Sequence, residues 1–275
     1  MKVLPTVEEM RDFRAGQLHS PLGFVPTMGN LHEGHLSLVR LARRESRSVV
    51  VSVYVNPTQF NDPQDLAGYP CTWDEDLRLL EDLQVDGVFL PTDDVMYPRG
   101  CSTTVKPSEV ATRWEGECRP GHFEGVCTVV AKLLGIVQPD VAYFGEKDYQ
   151  QLQVVRVMVS DLNLPVTIRW GPTIRETDGL ALSSRNSLLS PDERARAPRL
   201  KQALDCLRKA IRAGRDAAAA LDTERSALTA AGFQVDYLVL VDGASLKPIT
   251  TPKEGSHLLA AARIGAVRLI DNCAL

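Results

Sequence analysis

Two of the five histidines lie close together in one short stretch, Pro26-Thr27-Met28-Gly29-Asn30-Leu31-His32-Glu33-Gly34-His35. A spacing of three residues puts His32 and His35 on one face of a helix, one turn apart. The start of a helix carries unpaired N–H groups and a partial positive charge, and glycine lets backbone come close to a bulky ligand. We interpret this stretch as a phosphate-binding turn whose imidazoles stabilise charge during phosphoryl transfer; the alternative is a capped surface helix with two solvated histidines.

A second polar segment follows a predicted strand and precedes a predicted helix: Phe144-Gly145-Glu146-Lys147-Asp148-Tyr149-Gln150-Gln151. Here Lys147 could bind a phosphate, and Asp148 could cap the helix or bind a ribose. On its own this segment is equally well explained as a solvated charged turn.

A third polar segment comes after the last predicted strand of this series and contains Ser183-Ser184-Arg185-Asn186. Its two hydroxyls and permanent cation suit the triphosphate of a nucleotide. The alternative is a polar hinge between two domains.

The elements that must position these segments alternate between short β-branched runs and amphipathic helical stretches, a pattern typical of a parallel sheet flanked by helices. The predicted strands cover 22–26, 48–55, 87–90, 141–144 and 166–170, and the predicted helices cover 34–45, 74–83, 126–137 and 149–161. We predict a Rossmann-like, doubly wound α/β domain over residues 1–171. Because parallel strands end at one edge of a sheet, the first two polar segments can face one crevice, lined also by a loop over 57–70.

The pattern changes in residues 172–275, for which we predict a smaller α+β domain that covers the active site. A long Ala/Leu/Arg helix is predicted over 191–213 and a second helix over 216–231. The predicted strands cover 235–241, 257–262 and 266–270.

The composition excludes several classes of function. The 275 residues are 44% hydrophobic and 24% charged, with 31 Lys+Arg against 35 Asp+Glu, so the net charge of −4 gives no overall attraction to nucleic acid or an anionic membrane. No apolar run approaches the twenty residues that a membrane span needs, and the start of the chain turns acidic, unlike a signal peptide. None of the six cysteines forms a C-x-x-C pair. We expect a soluble cytoplasmic protein with reduced thiols and no structural metal.

The segments together resemble a known family. An H-x-G-H turn after the first strand and a basic serine loop after the last are how nucleotidylyltransferases and class I aminoacyl-tRNA synthetases hold ATP. More closely, the chain resembles the pantoate–β-alanine ligases from about residue 22 to 272. The matching segments are 26–35, Val55-Asn56-Pro57-Thr58-Gln59-Phe60, Arg119-Pro120-Gly121-His122-Phe123, 144–151, Leu182-Ser183-Ser184-Arg185-Asn186, 261–265 and Arg268-Leu269-Ile270-Asp271-Asn272.

This resemblance implies condensation of (R)-pantoate with β-alanine through a pantoyl adenylate, with ATP and Mg²⁺, in a cytoplasmic homodimer. It assigns catalysis to His35, His32, Lys147 and Arg185. It assigns ATP binding to Met28, Gly29, Asn30, Leu31, His32, Glu33, Gly34, His35, Gly145, Glu146, Lys147, Asp148, Ile174, Leu182, Ser183, Ser184 and Arg185. It assigns substrate binding to Gln59, Gln151, Arg119 and His122, and Mg²⁺ to Glu75 or Asp76. The partners are small molecules, with no nucleic acid and no membrane.

One position departs from the family pattern, since Cys71 stands where an Arg is usual. If that Arg assists ATP binding, the affinity for the nucleotide is weaker here. Three alternatives remain open: another nucleotidylyltransferase, an RNA-binding module related to the synthetases, and a nucleotide-binding protein without activity. The matched glutamines Gln59 and Gln151 argue against the first, the net charge against the second, and the presence of both histidines against the third.

Overall fold

The structure is a computed structural model that describes residues 1–17 and 20–275. The chain divides into two compact units, which we describe separately. The N-terminal unit comprises Met1–Glu146 and Gln151–Pro172, and the C-terminal unit comprises Lys147–Gln150 and Thr173–Leu275. In the described residues, no helix combines the length and the apolar character that a membrane span requires.

The N-terminal unit is built on a parallel sheet. Within the described residues its six strands lie in the order β1-β4-β3-β2-β5-β6. Their bounds are β1 Lys2–Leu4, β2 Leu22–Thr27, β3 Ser48–Val53, β4 Gly87–Phe89, β5 Val141–Gly145 and β6 Thr167–Gly171. All adjacent strands pair in parallel, which confirms the predicted doubly wound α/β fold. The sequence analysis missed β1, whose three residues are too few to show a period.

Helices cover the sheet. They are α1 Val7–Ala15, α2 Glu33–Glu45, α3 Pro63–Ala67, α4 Trp73–Asp82, α5 Asp93–Met96, α6 Glu115–Cys118, α7 His122–Val137 and α8 Tyr149–Asp161. Short 3₁₀ turns cover Pro57–Gln59, Glu109–Ala111 and Glu146–Asp148. The prediction of an irregular loop over 57–70 was wrong in part, because this segment holds a 3₁₀ turn and α3. Each begins with proline, which suits a first helical position because the missing N–H would have no partner there.

The core of this unit explains why β3 reads as a continuous apolar run. All of β3 is buried, and its valines pack with α2 and α4 through Val39, Ala42 and Leu80. A strand buried on both faces needs no polar alternation.

The order of the strands brings two polar segments to one edge. Strands β2 and β5 are neighbours, paired through Gly23 with Val141 and Phe24 with Ala142. From β2 the chain proceeds to β3 on one side, and from β5 to β6 on the other. This is a topological switch point, where open parallel sheets bind ligands beyond the carboxyl ends of their strands.

The C-terminal unit combines three antiparallel strands with helices, counted over its described residues. The strands, in the order β7-β8-β9, are β7 Gln234–Asp242, β8 Ser256–Ile264 and β9 Val267–Ala274. The helices are α9 Pro191–Arg196, α10 Arg199–Arg212 and α11 Ala217–Ala230, preceded by a 3₁₀ turn over Ser184–Leu188. The prediction of one long helix over 191–213 was wrong, because the helix is interrupted at Ala197 and Pro198. Proline lacks the N–H that would continue the hydrogen-bond ladder, and its ring clashes with the preceding turn.

Two hydroxyls at the ends of β2 and β3 predict opposite effects on stability. Within the described chain the fully buried Ser52 hydroxyl has no hydrogen-bond partner. The Thr27 hydroxyl, by contrast, donates to the Ser52 carbonyl over 2.7 Å and accepts from the Gly29 N–H over 3.2 Å. We expect Ser52→Ala to raise the free energy of unfolding by about 1 kcal/mol, because an unsatisfied buried hydroxyl is removed. Thr27→Val should lower it by roughly 1–3 kcal/mol.

Urea denaturation of both variants at one pH measures these changes. A loss of stability in Ser52→Ala as large as that in Thr27→Val would show that the Ser52 hydroxyl is bonded.

Candidate active site

The turn after β2 places the two histidines against each other. His32 is the N-cap of α2 and His35 is its third residue. The His32 Nδ1 accepts from the Gly34 N–H over 3.1 Å, and the His35 Nδ1 accepts from the His32 N–H over 3.3 Å. An Nδ1 that accepts from backbone carries no proton, so each neutral imidazole holds its proton on Nε2. The two ring centroids are 4.2 Å apart.

The glycine between the histidines has a steric reason. A Cβ on Gly34 would lie 2.8 Å from the His32 Cε1 and 2.9 Å from its Nδ1. Any side chain there would displace the His32 ring from its capping position. The H-x-G-H pattern therefore follows from the cap as well as from any ligand.

A buried carboxylate holds the turn that leads into this cap. Asp76, only 1% exposed, accepts from the Asn30 N–H over 2.9 Å and from the Leu31 N–H over 2.8 Å. The Thr72 hydroxyl donates to the same carboxylate over 3.2 Å. The backbone turns through left-handed angles here, with φ of +79° at Gly29 and +49° at Asn30. Two charge-assisted hydrogen bonds offset the cost of this conformation at a residue other than glycine.

Gln59 lies beside the same turn. Its side-chain nitrogen donates to the Met28 sulfur over 3.0 Å, and its side-chain oxygen accepts from the Asn56 amide over 3.0 Å. Asn56 is 1% exposed and also donates to the Gly125 carbonyl, while the Tyr97 hydroxyl donates to its oxygen over 2.8 Å. The Gln59 amide thus has its orientation set by a buried network.

Arg119 and His122, predicted to bind substrate, are placed against the backbone of Gln59. The His122 Nδ1 donates to the Gln59 carbonyl over 2.8 Å, and an Arg119 guanidinium nitrogen donates to it over 3.3 Å. Since Nδ1 donates, the His122 Nε2 accepts from Arg119 over 3.4 Å. α7 approaches this backbone so closely that a Cβ on Gly125 would lie 2.4 Å from the Thr58 carbonyl oxygen.

The remaining predicted residues of the N-terminal unit lie at strand and helix ends. Gly145 ends β5 and Glu146 starts the following 3₁₀ turn, while Gln151 lies half-buried in the first turns of α8. A Cβ built on Gly145 meets no atom within 4 Å, so the space beside this strand end is open.

The predicted residues of the C-terminal unit lie in two segments. In the first, Lys147 and Asp148 face each other at 4.0 Å, and the Lys147 carbonyl accepts from the Asn272 amide over 2.8 Å. In the second, the Leu182 N–H donates to the Ile174 carbonyl over 2.9 Å, and the Ser183 hydroxyl accepts from the Arg185 N–H over 3.3 Å. The described residues contain no group of three His, Cys, Asp or Glu arranged to bind a metal.

The two carboxylates predicted for Mg²⁺ have different surroundings. Glu75 is exposed at the first turn of α4, while both oxygens of Asp76 bind backbone. A Mg²⁺ ion held largely by nucleotide phosphates and water needs only one or two protein carboxylates. Glu75 fits this requirement, whereas Asp76 is engaged in holding the histidine turn.

A family profile described as pantoate-beta-alanine ligase matches residues 2–274. The chain belongs to the pantoate–β-alanine ligase family. It is 51% identical over an alignment of 278 residues to the pantothenate synthetase of Acidiphilium cryptum strain JF-5, covering 100% of both chains. It is 52% identical over 275 residues to that of Cereibacter sphaeroides strain ATCC 17029, covering 98% of each.

Two solved structures of this ligase family share the fold. The pantothenate synthetase of Thermus thermophilus is 48% identical, covers 99% of each chain and superposes with a TM-score of 0.94. The ligase of Francisella tularensis, solved in complex with beta-gamma ATP and beta-alanine, is 36% identical with a TM-score of 0.85, covering 100% of this chain and 97% of that one. The chain is therefore an enzyme of the pantoate–β-alanine ligases.

Sequence reasoning gave no role to Asn56, although the segment that carries it matches the ligase family. An Asn-Pro pair in a polar segment is typical of a turn, so only the burial of Asn56 reveals its contact with Gln59. A signal was present, because a polar residue directly after a wholly apolar strand has to find a partner inside the protein.

Neighbouring carboxylates on α4 predict separable effects in this ligase. Asp76→Asn replaces one acceptor oxygen by a donor that faces a backbone N–H, so we expect a loss of about 2 kcal/mol in unfolding free energy together with lower activity. Glu75→Gln should leave stability unchanged and raise the Mg²⁺ concentration needed for half-maximal rate.

Urea denaturation and Mg²⁺ titration of both variants separate the two roles. Full stability of Asp76→Asn would contradict its assignment to the histidine turn.

Proposed function

We propose that the chain joins (R)-pantoate to β-alanine in a reaction driven by ATP, with pantothenate, AMP and pyrophosphate as products. The reaction passes through pantoyl adenylate. Membership of the ligase family supports the overall condensation. The ligase of Francisella tularensis, which carries beta-gamma ATP and beta-alanine, supports ATP and β-alanine as substrates.

One contact supports the proposal most directly. The Gln59 amide, the candidate ligand for pantoate, donates to the sulfur of Met28, which belongs to the candidate ATP turn. An amide both donates and accepts, which suits a substrate with a hydroxyl and a carboxylate. A carboxylate held there lies next to residues that would hold the nucleotide, as attack on phosphorus requires.

In the first step a carboxylate oxygen of pantoate attacks the α-phosphorus of ATP. The bond from this phosphorus to the oxygen bridging the α- and β-phosphates breaks, and pyrophosphate leaves. Two anions meet and a third departs, so the chain has to supply donors and cations rather than a nucleophile. The His32 and His35 Nε2–H groups would donate to phosphate oxygens, with His35 the acid, and Lys147 and Arg185 would neutralise charge.

The other predicted residues would hold the nucleotide. Backbone of Met28–Gly34 and Gly145–Asp148, together with Ile174 and Leu182–Ser184, would line the adenosine and the phosphates. The Mg²⁺ that accompanies ATP would offset phosphate charge, with Glu75 as its protein carboxylate.

In the second step the amine of β-alanine attacks the acyl carbon of the adenylate. The bond from this carbon to the phosphate oxygen breaks, AMP leaves, and the nitrogen releases its proton to water. Gln59 and Gln151 would keep the acyl group in place, with Gln59 also touching β-alanine. The family resemblance further supports a cytoplasmic homodimer that acts in vitamin B5 and coenzyme A biosynthesis.

The adenylate predicts pyrophosphate exchange into ATP that depends on pantoate and needs no β-alanine. His35→Ala should slow this exchange by more than about tenfold while the fold is retained, since general acids and electrostatic groups commonly supply at least that much. Labelled pyrophosphate and circular dichroism measure the two.

Two results would count against the proposal. An absence of AMP with all three substrates present would contradict the reaction as a whole. Exchange at the normal rate in His35→Ala would remove this histidine from the chemistry.

The placement of Gln59 predicts selective loss of pantoate binding. Gln59→Ala should raise the KM for pantoate about tenfold or more, because a hydrogen bond to a charged group contributes roughly 1.5–3 kcal/mol. The KM for ATP should change less. Gln202→Ala, which removes an exposed amide on α10, is the control and should alter neither constant. A larger effect on ATP than on pantoate would place the pantoate site elsewhere.

A further inference from the structure

Two adjacent buried polar residues on β9 have no role in the reaction described so far. Asp271 and Asn272 are each 5% exposed. Successive side chains of a strand point to opposite faces, so one pair of neighbours can hold two different segments. Buried polar groups require partners, and the partners of this pair lie in the two candidate nucleotide-binding segments of the C-terminal unit.

Asn272 holds the backbone of Lys147. Its amide nitrogen donates to the Lys147 carbonyl over 2.8 Å, and its oxygen lies 2.9 Å from the His257 Nε2. A carbonyl can only accept, so the amide nitrogen faces Lys147 and the oxygen faces His257. The His257 Nε2 therefore carries the proton and donates. His257 is 3% exposed, and burial lowers its pKa, which keeps the ring neutral at neutral pH.

Tyr149 holds the other end of the Lys147 turn. Its ring stacks on His257 with centroids 3.7 Å apart and planes 11° from parallel, and its hydroxyl donates to the Gly243 carbonyl over 3.0 Å. A Cβ on Gly243 would lie 2.9 Å from that hydroxyl. The Lys147 carbonyl and the Tyr149 ring are thus both attached to the strands of this unit.

Asp271 holds the second segment. Its two oxygens accept from the Arg175 guanidinium over 2.7 and 2.8 Å in a bidentate pair, and Arg175 also donates to the Gly179 carbonyl over 3.1 Å. Arg175 pairs through its backbone with Ala181, between the candidate nucleotide-binding residues Ile174 and Leu182. A bidentate pair fixes the plane of a guanidinium as well as its distance.

We propose that Asp271 and Asn272 are positioning residues for ATP, with Asn272 orienting Lys147 through its carbonyl and Asp271 orienting the Ile174–Leu182 segment through Arg175. Neither touches the substrates. The inference rests on the proposed function, since it assumes that Lys147 and Ile174 contact the nucleotide. Small displacements of a positioned group cost far more than the contact that positions it.

The test is Asn272→Leu, which has nearly the same shape and lacks both polar groups, with Asn272→Asp as a second variant that loses only the donor. We expect the KM for ATP to rise about tenfold or more in both, with the KM for pantoate within about twofold of wild type. Titration of a non-hydrolysable ATP analogue should show the same loss of affinity by calorimetry.

The matched control is Asp236→Asn. Asp236 accepts from Arg268 over 2.6 Å in a part-buried ion pair that joins β7 to β9 rather than a strand to a nucleotide-binding segment. It should lower stability without separating the two KM values.

Unchanged ATP constants in folded Asn272 variants would overturn the inference, and so would equal rises in both KM values. Wild-type protein without pantoate-dependent exchange would instead refute the proposed function, while analogue binding by the variants would still decide the inference.

Discussion

The buried carboxylate of Asp76 is the constraint on which the candidate site depends. Between β2 and α2 the chain has to turn within a few residues, and it does so through left-handed angles at Gly29 and Asn30. Asp76 binds the N–H groups of Asn30 and Leu31, which no strand or helix satisfies. Only when this turn is held does His32 reach the N-cap of α2 and place its ring against His35. The carboxylate therefore fixes the histidines without touching either ring.

The same arrangement recurs where other candidate residues are held. His122 binds the Gln59 carbonyl, and Asn272 binds the Lys147 carbonyl. In each case a buried polar side chain fixes backbone of the residue that would meet the substrate. Contacts of this kind fix the origin of a side chain while its terminal groups stay available for chemistry, and rigid support of that kind is what positioned catalysis requires.

Much of the fold could be predicted from the sequence because local patterns determine it. The apolar run of β3 and the amphipathic period of α2 are visible in single stretches of chain, and the order of polar turns after strands indicated a common edge. The break at Pro198 was also visible locally, but a continuous Ala/Leu/Arg pattern concealed it. The supporting contacts could not be predicted in this way. Asp76 lies 46 positions from Asn30, and Asn272 lies 125 positions from Lys147, so only the folded chain brings them together.

This separation explains which assignments from the sequence were sharpest. A residue with distinctive chemistry, such as His35 or Lys147, is recognisable because few structural roles need its side chain in a glycine-containing turn. Asp76 has the composition of a metal ligand, and its acidic neighbours on α4 strengthen that interpretation. Its burial reverses the argument, because a carboxylate that already binds two backbone N–H groups has little capacity left for a cation, whereas the exposed Glu75 keeps its oxygens in water. The chemistry of a residue type thus indicates what it can bind, and only its partners in the fold decide what it does bind.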